Sequence, residues 1–353
     1  MVKKLLNIKN MSIISIMLLI FTIIVLAAPS LTTITLTSSS ATNTTDENLT
    51  ITTDQDNNAS VKLTYNWYKN GTSLTLLNMP FEADGTNNAS DYSGNDNSVD
   101  IYGATWNNNS GYDSWGTYSF DGDDYINLSQ GNFSFGTEPF TIEFWIYINS
   151  YTDTNVFGRY QNNDGIMLYI RQSSSPDGRL EVFHGSGTPE QTYFIIPSGE
   201  WHHIAVVGNG TKIRAALDGV FHDNTVTQWD IDFGDNRPWV GRYLTYYFNG
   251  YLDEYRIYKG VALSDEQIVT IAENKTNFIV SQETSIDDDW NATVTPNEGT
   301  QDGVTMWSDT MVILEEAAEE PDPAVPEFSD YAIALLLLTV VCGFFVIRAK
   351  REE

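Results

Sequence analysis

The carboxylates, imidazoles and aromatic rings of this sequence set out which chemistries are open to it. Retaining hydrolysis of a glycosidic bond needs two carboxylates about 5 Å apart on one surface. Glu143 lies in one β-patterned run, and Asp253 and Glu254 are neighbours in another. Adjacent residues of a regular strand point to opposite faces, so Asp253 and Glu254 are not expected to work as a pair. No Glu-x-Asp-x-x-Glu run supplies a substitute. Glu143, between Ile142 and Phe144, is expected on an outer strand face, solvated or paired. The histidines are His184, His202, His203 and His222. His202 and His203 fall on opposite faces of a strand and cannot chelate zinc together; one of them is expected to be buried and hydrogen-bonded. Cys342 is the single cysteine, which leaves no disulfide and no thiolate nucleophile for the rest of the chain. The chemistry points to a binding protein and not to an enzyme.

Two kinds of ligand suit the remaining groups. Calcium takes six to eight oxygens from carboxylates, amides and carbonyls, which Asp/Asn loops provide. Asp91, Asn95 and Asp96 share one such loop and Asp121, Asp123 and Asp124 another, neither with EF-hand spacing. Tight turns without any metal explain the same residues equally well. Sugars need exposed rings flanked by hydrogen-bonding groups. Aromatic residues make up 13% of the chain, and Trp106, Trp115, Tyr160, Trp229, Tyr243, Tyr246 and Tyr247 sit in or beside polar segments. The run Tyr243 to Phe248 must turn some rings outward, so Tyr243, Tyr246, Tyr247 and Trp229 are the candidate ligand-binding residues.

Net charge narrows the partners. The chain carries −29, and residues 29–328 hold 12 basic against 44 acidic side chains. That argues against nucleic acid or an anionic membrane face, and leaves divalent cations, basic partners or plain solubility.

The elements that must position these groups are strands. From Leu31 to Met311, short alternating runs are separated by Gly, Asn and Asp, the pattern of an all-β sandwich. The clearest run is Thr141 to Ile148; others are Trp201 to Val207, Ile213 to Leu217 and Tyr251 to Tyr258. One helix is expected over Ser264 to Glu273, with Ser264 and Gln267 forming a capping box. At the N-terminus, Lys3, Lys4 and Lys9 precede an apolar run from Ile13 to Ala28, an export signal over residues 1–28 with cleavage near Ala27 or Ala28. At the other end, an acidic stalk over 316–328 leads to a tail, 329–353, in which an apolar helix from Tyr331 to Ile347 ends in Arg348, Lys350 and Arg351 with the C-terminus cytoplasmic. Eleven Asn-x-Ser/Thr sites follow the signal, at Asn43, Asn48, Asn58, Asn70, Asn88, Asn108, Asn127, Asn132, Asn209, Asn274 and Asn291. They fit an exported chain open to glycosylation, with Asn70, Asn88, Asn127 and Asn209 as the leading candidates.

Two resemblances sharpen this reading. Pro326-Glu327-Phe328, then an apolar helix, then a basic cluster, resembles the PEF-CTERM sorting signal of archaeal surface proteins. It implies cutting by an archaeosortase-like enzyme and a lipid anchor in place of a spanning helix. Phe81, Asp91 to Asn97, Ala104-Thr105-Trp106, Tyr118 to Ile126, Phe140 to Ile148, Trp201 to Val207 and Gly250 to Tyr258 through Ser264 are similar, in that order, to the LamG-like branch of the concanavalin A-like lectin/glucanase superfamily. That resemblance spans residues 76–272 and implies a two-sheet jelly roll, with a structural calcium where the Asp/Asn loops meet the late Asp-Glu strand, held by Asp91, Asn95, Asp121 and Asp253. The flanks, 29–75 and 273–315, each too short to close a sandwich alone, resemble the two halves of one immunoglobulin-like domain with Trp67 in its core. The whole is read as an extracellular, surface-anchored binding protein or adhesin for glycans or surface proteins. The alternatives are a structural envelope protein without a dedicated ligand, or a glycan-active hydrolase.

Overall fold

The computed structural model describes residues 28–82, 89–128, 133–151, 153–159, 165–172, 178–184, 194–234, 237–316 and 337–338. The signal up to Ala27, nearly all of the stalk, Pro326, Glu327 and Phe328, Asn88, Asn132, Tyr160, and the tail helix except Leu337 and Leu338 lie outside the described residues. The chain divides after Leu314 into two units, and every described strand belongs to the first.

The architecture is all-β, as the alternation demands. Two antiparallel sheets face each other. The larger has nine strands, with Phe140–Ile148 hydrogen-bonded between Trp201–Gly208 and Asn249–Lys259. The smaller has seven, in the order Phe194–Ile196, Gly178–His184, Ile166–Gln172, Thr154–Gly158, Trp239–Val240, Tyr125–Asn127, Asp100–Tyr102. Alternate residues of Phe140–Ile148 and its neighbours, among them Ile142, Phe144, Ile146, Ile204, Val206, Tyr255 and Ile257, point inward. They meet Val156, Ile166, Leu168, Val182 and Val240 from the other layer. Phe144 stacks on Tyr255 at 5.0 Å, and the Tyr255 hydroxyl crosses the core to donate to the Val156 carbonyl at 3.1 Å. Each such large buried side chain contributes about 1.5–3 kcal/mol.

The flanking segments pair with each other although the jelly roll separates them. Lys62–Lys69 runs antiparallel to Asp289–Asn297 over eight positions, from Trp290 opposite Lys69 to Asn297 opposite Lys62. A three-stranded sheet of Ile34–Ser38, Leu49–Thr53 and Phe278–Ile279 completes the pair of layers. Between them lie Leu49, Ile51, Leu63, Trp67, Trp290, Ala292 and Val294, with Trp67 edge-on to Trp290 at 6.2 Å. The same core continues onto the outer face of the nine-stranded sheet through Ala205, Val207 and Tyr258, and onto the helix Asp265–Ala272 through Ile268 and Ile271.

That helix starts where its cap requires. The Ser264 hydroxyl accepts from the Gln267 amide at 3.2 Å. The reciprocal half of the expected capping box does not form. Gln267 is buried, and its amide spans to the Phe278 carbonyl at 3.0 Å and the Val280 N–H at 2.9 Å, while the Ser264 N–H is taken by Glu283 at 2.7 Å.

Candidate functional site

The outer faces of the two large sheets carry different chemistry. On the nine-stranded sheet, a β-bulge overturns the expectation that Asp253 and Glu254 face opposite ways. Glu143 pairs with Arg256 but Trp145 pairs with Asp253, so Asn249–Lys259 spends one residue more than its neighbour. Glu254 sits at φ 50°, and the extra residue turns both Asp253 and Glu254 outward, with Leu252 and Tyr255 inward.

Five carboxylates consequently share that face: Glu82, Asp113, Glu143, Asp253 and Glu254. Two cations compensate them. Lys62, reaching in from the flanking sandwich, lies 3.1 Å from Glu82 and 2.9 Å from Glu254 and also ion-pairs with Asp113. Arg256 bonds Glu143 at 3.0 Å and ion-pairs with Glu254. Glu143 is thus paired, and it is fully buried. His203, also fully buried, meets it at 3.2 Å, while His202 lies on the opposite face against Asp218 at 2.8 Å.

The electrostatics follow from burial. Desolvation pushes the Glu82 carboxyl up to about 7, against the pull of Lys62. It pushes Asp253 well above the usual carboxylate range, helped by Glu82 and Glu254. Burial works the same way on Glu254, but Lys62 and Arg256 outweigh it and hold that carboxylate below its ordinary value. Closed off from solvent, these groups are placed to hold one another and not to meet a polymer.

Calcium can be tested here on geometry. Oxygens of Glu82, Asp113 and Glu254 all lie within 4.8 Å of one another, the arrangement a cation would take. The Lys62 ammonium, with three protons to donate, already contacts all three, so the cage does not fit calcium as well as the lysine. The four residues expected as one calcium set are not one site. Asp91 accepts five bonds, four from Ser93 and Asn97 of its own loop and one from the Asn78 N–H of the strand Thr75–Met79. Asn95 donates to the Thr75 and Leu76 carbonyls at 3.0 Å. Asp121 stands opposite Asn249, four positions from Asp253 and therefore about 13 Å along the strand. Asp121 does cluster with Asp123 and Asp124, where burial, with its two neighbours adding, pushes Asp124 up to about 6. The first two are exposed, and exposed acidic turns are common without any ion.

The seven-stranded sheet presents rings instead. Tyr102 stacks on Tyr125 at 4.5 Å; Trp239 and Tyr247 each lie 6.3 Å from Tyr125. The hairpin Arg242–Tyr243 and Tyr246–Tyr247 folds over this face, anchored by Tyr243 against Tyr169 at 5.6 Å. Arg242 sits among the rings, 4.6 Å from Tyr125, 4.6 Å from Trp239 and 5.4 Å from Tyr247. Tyr246 is 49% exposed and Tyr102 46%. Of the expected platform residues, Tyr247 joins these rings and Tyr243 anchors the hairpin, while Tyr246, paired with Tyr243 across the hairpin, makes no ring contact with them among the described residues. Trp229 is 54% exposed but makes no ring contact with them among the described residues. Sequence reasoning missed Tyr102, Tyr125, Trp239, Arg242 and Arg159; only outward phase in short strands could have shown them. A second group, Tyr147, Trp201 and Tyr251, lies on the nine-stranded sheet with rings 5.8–6.3 Å apart.

The candidate glycosylation sites differ in how their amides are used. Asn70 is exposed but bonded to Asp288 and Asp289 at 3.2 and 2.8 Å. Asn209, also exposed, caps its turn through Thr211 and Lys212. Asn127 is half-buried, with its amide oxygen enclosed.

Residues 120–269 match the Laminin_G_3 family model, described as Concanavalin A-like lectin/glucanases superfamily. Among solved structures, domain 4 of AbnA, a GH43 extracellular arabinanase from Geobacillus stearothermophilus in complex with arabinotriose, is similar at 20% identity and a TM-score of 0.46, over 56% of this chain and 98% of that one. The binding domain of Paraclostridial Mosquitocidal Protein 1 is similar at 15% and 0.46. The binding domain of Botulinum neurotoxin DC, solved with rat synaptotagmin II, is similar at 15% and 0.45. The match spans 57% of this chain and about half, 52%, of each of these two. No curated protein matches.

Proposed function

We propose that the chain is a glycan-binding protein of the cell surface, with the outer face of the seven-stranded sheet and its hairpin as the binding surface. The observation that carries this reading is the assembly of Tyr102, Tyr125, Trp239 and Tyr247 around Arg242. Rings on an exposed, preformed face can stack on the apolar face of a sugar, and the guanidinium and nearby amides supply directional hydrogen bonds. The burial of Glu143, Asp253 and Glu254, with Glu143 and Glu254 ion-paired and Asp253 bonded to the Tyr112 and Glu254 N–H groups, supports binding without hydrolysis. The flanking sandwich is read as an immunoglobulin-like domain interrupted by the jelly roll. The acidic stalk and the PEF-CTERM-like tail are read as the attachment to the envelope, by a lipid anchor or a membrane helix, with the remainder of the chain extracellular. Any need for calcium narrows to the turn of Asp121, Asp123 and Asp124.

A glycan array probed with the chain and with its Trp239→Ala and Tyr125→Ala variants tests the reading. Binding that both substitutions weaken, at unchanged melting temperature, is the expected result. A structural envelope role is the second reading, favoured by the way Arg242 clamps the hairpin to the sheet. Ring substitutions that lower the melting temperature of a chain that binds no glycan would establish it instead.

A further inference from the structure

The outer face of the nine-stranded sheet changes character along its strands. At one end Ala205, Val207 and Tyr258 are covered by the flanking core. Midway, the Tyr112 ring stacks on Trp145, which is buried. At the other end Tyr147, Trp201 and Tyr251 are half-buried and meet solvent. Alternation puts Tyr147 and Tyr251 on the outer face, since Ile146, Ile148 and Leu252 point inward. Pairing puts the three rings in one row, with Tyr147 opposite Trp201 on one neighbouring strand and Tyr251 on the other. The row continues through Ser119 to Thr105.

Neighbouring strands lie about 4.8 Å apart, so this row crosses roughly 19 Å of sheet, with rings at one end and hydroxyls at the other. The ring planes stand at 52°, 66° and 83° to one another. They form a relief that a single chain can follow, where a crystalline surface would need a flat shelf. Two residues beyond Tyr147, the Asn149 N–H donates to the Asn249 carbonyl at 3.1 Å, and Asp121 pairs with Asn249. Asn149, Asn249 and Asp121 thus make a second row on the same face, beside the rings. Apolar ring faces next to a row of hydrogen-bonding groups match the C–H faces and hydroxyls of a sugar chain. Glu200, next to Trp201, and Asp121 are exposed at the two sides of the surface. With a net charge of −29, they make it repel anionic glycans.

We infer that this end of the nine-stranded sheet is a second saccharide site, which takes a single neutral polysaccharide chain laid across the strands. It uses none of the residues of the Tyr125, Trp239 and Tyr247 surface and lies on the outer face of the opposite sheet, so neither site depends on the other. Two sites that face away from each other let one protein hold two glycan chains. The protein then cross-links a polysaccharide that a one-site variant only binds.

The test mixes the full chain with soluble mannan, galactan and arabinan as neutral probes and with heparin and polylysine as charged ones, and reads affinity electrophoresis and turbidity. The native chain should bind a neutral polysaccharide and turn its solution turbid. In a Trp239→Ala background, Trp201→Ala and Tyr251→Ala should each weaken the remaining binding about tenfold or more, the loss typical of an aromatic anchor. Either one alone should abolish the turbidity. Asn149→Ala, at an exposed position, should weaken the same binding at an unchanged melting temperature, which keeps the test decisive where a ring variant melts early. Loss of all binding in Trp239→Ala alone, or remaining binding that neither Tyr251→Ala nor Asn149→Ala changes, overturns the second site and leaves the seven-stranded face standing. Binding of heparin or polylysine through Trp201 and Tyr251, in preference to the neutral probes, overturns the ligand class. No polysaccharide bound by the folded chain overturns both sites.

Discussion

Lys62 and Glu254 are 192 residues apart in the chain and 2.9 Å apart in the fold. Lys62 belongs to the flanking sandwich and Glu254 to the bulged strand of the jelly roll, so the ion pair joins the two cores through a group that neither could bury alone. Removing one partner of a buried pair costs about 3–5 kcal/mol, because the other charge is left uncompensated. Lys62→Met should therefore lower the melting temperature sharply. It also empties a cage of three carboxylates, to which millimolar calcium should bind and restore part of the loss by mass action. The native chain should show no calcium heat from this place in calorimetry, and an Asp123→Asn background removes any contribution from the acidic turn. Calcium binding by the native cage, with none gained in Lys62→Met, would show that the lysine does not stand in for the ion.

The carboxyls of this cluster also set a pH dependence. Glu82, pushed up to about 7 from an ordinary 4.5, Asp124, pushed up to about 6 from 3.8, and Asp253 all bind protons more tightly folded than unfolded. His202, raised first by its bond to Asp218, acts in the same sense. Each contributes stability that is fully present below its unfolded value and is lost as pH rises through its folded one. Asp54, Glu254 and Asp218 are lowered, Asp54 by its bonds to Thr32 and Thr33, Glu254 and Asp218 by partners that overcome their burial. They contribute stability above their unfolded values that is lost on further acidification. The melting temperature should peak near pH 5 and fall toward pH 7.5, with Glu82→Gln flattening the descent. A monotonic rise from pH 4.5 to 7.5 in a fluorimetric scan would contradict this.

The flanking sandwich depends on two indoles that meet across the insertion. Trp290 is fully buried and edge-on to Trp67, and Trp67 is fixed by its Nε1–H to the Thr276 carbonyl at 3.0 Å. Trp290→Ala should cost about 3–5 kcal/mol. Since the same core reaches the outer face of the jelly roll through Val207 and Tyr258, the variant should lower a single unfolding transition and not split off a separate one. Two well-resolved calorimetric transitions, with only the lower one moved, would mean that the two cores unfold independently.

How much of this was legible depends on whether the signal is local. The strand Phe140–Ile148 announced itself because Ile142, Phe144, Ile146 and Ile148 repeat every second residue, and Ser264 marked the helix start because its cap bond closes within three residues. The bulge gave no such sign. Glu254 takes a positive φ without the glycine or asparagine that usually marks one, and it is held there by Lys62 and Arg256. The aromatic surface failed for a related reason. Tyr102, Tyr125 and Trp239 come from three short strands, and Arg242 from a hairpin laid across them, so only the fold could place them together.

The outward turn of Asp253 and Glu254 decides what their mutation should do. A regular strand would have left Asp253 and Glu254 on opposite faces; the bulge gathers them with Glu143 on one, which is where a hydrolytic pair would need to be. They are buried and neutralised there instead, Glu143 by Arg256 and Glu254 by Arg256 and Lys62. Glu143→Gln and Glu254→Gln keep the shape but remove a charge from each network, leaving Arg256 or Lys62 with fewer partners. Both should lower the melting temperature, Glu254→Gln the more because it touches both cations. Neither should change the release of reducing ends from any polysaccharide, since the native chain should release none. Turnover by the native chain that either substitution abolishes, at unchanged stability, would give these carboxylates a catalytic role.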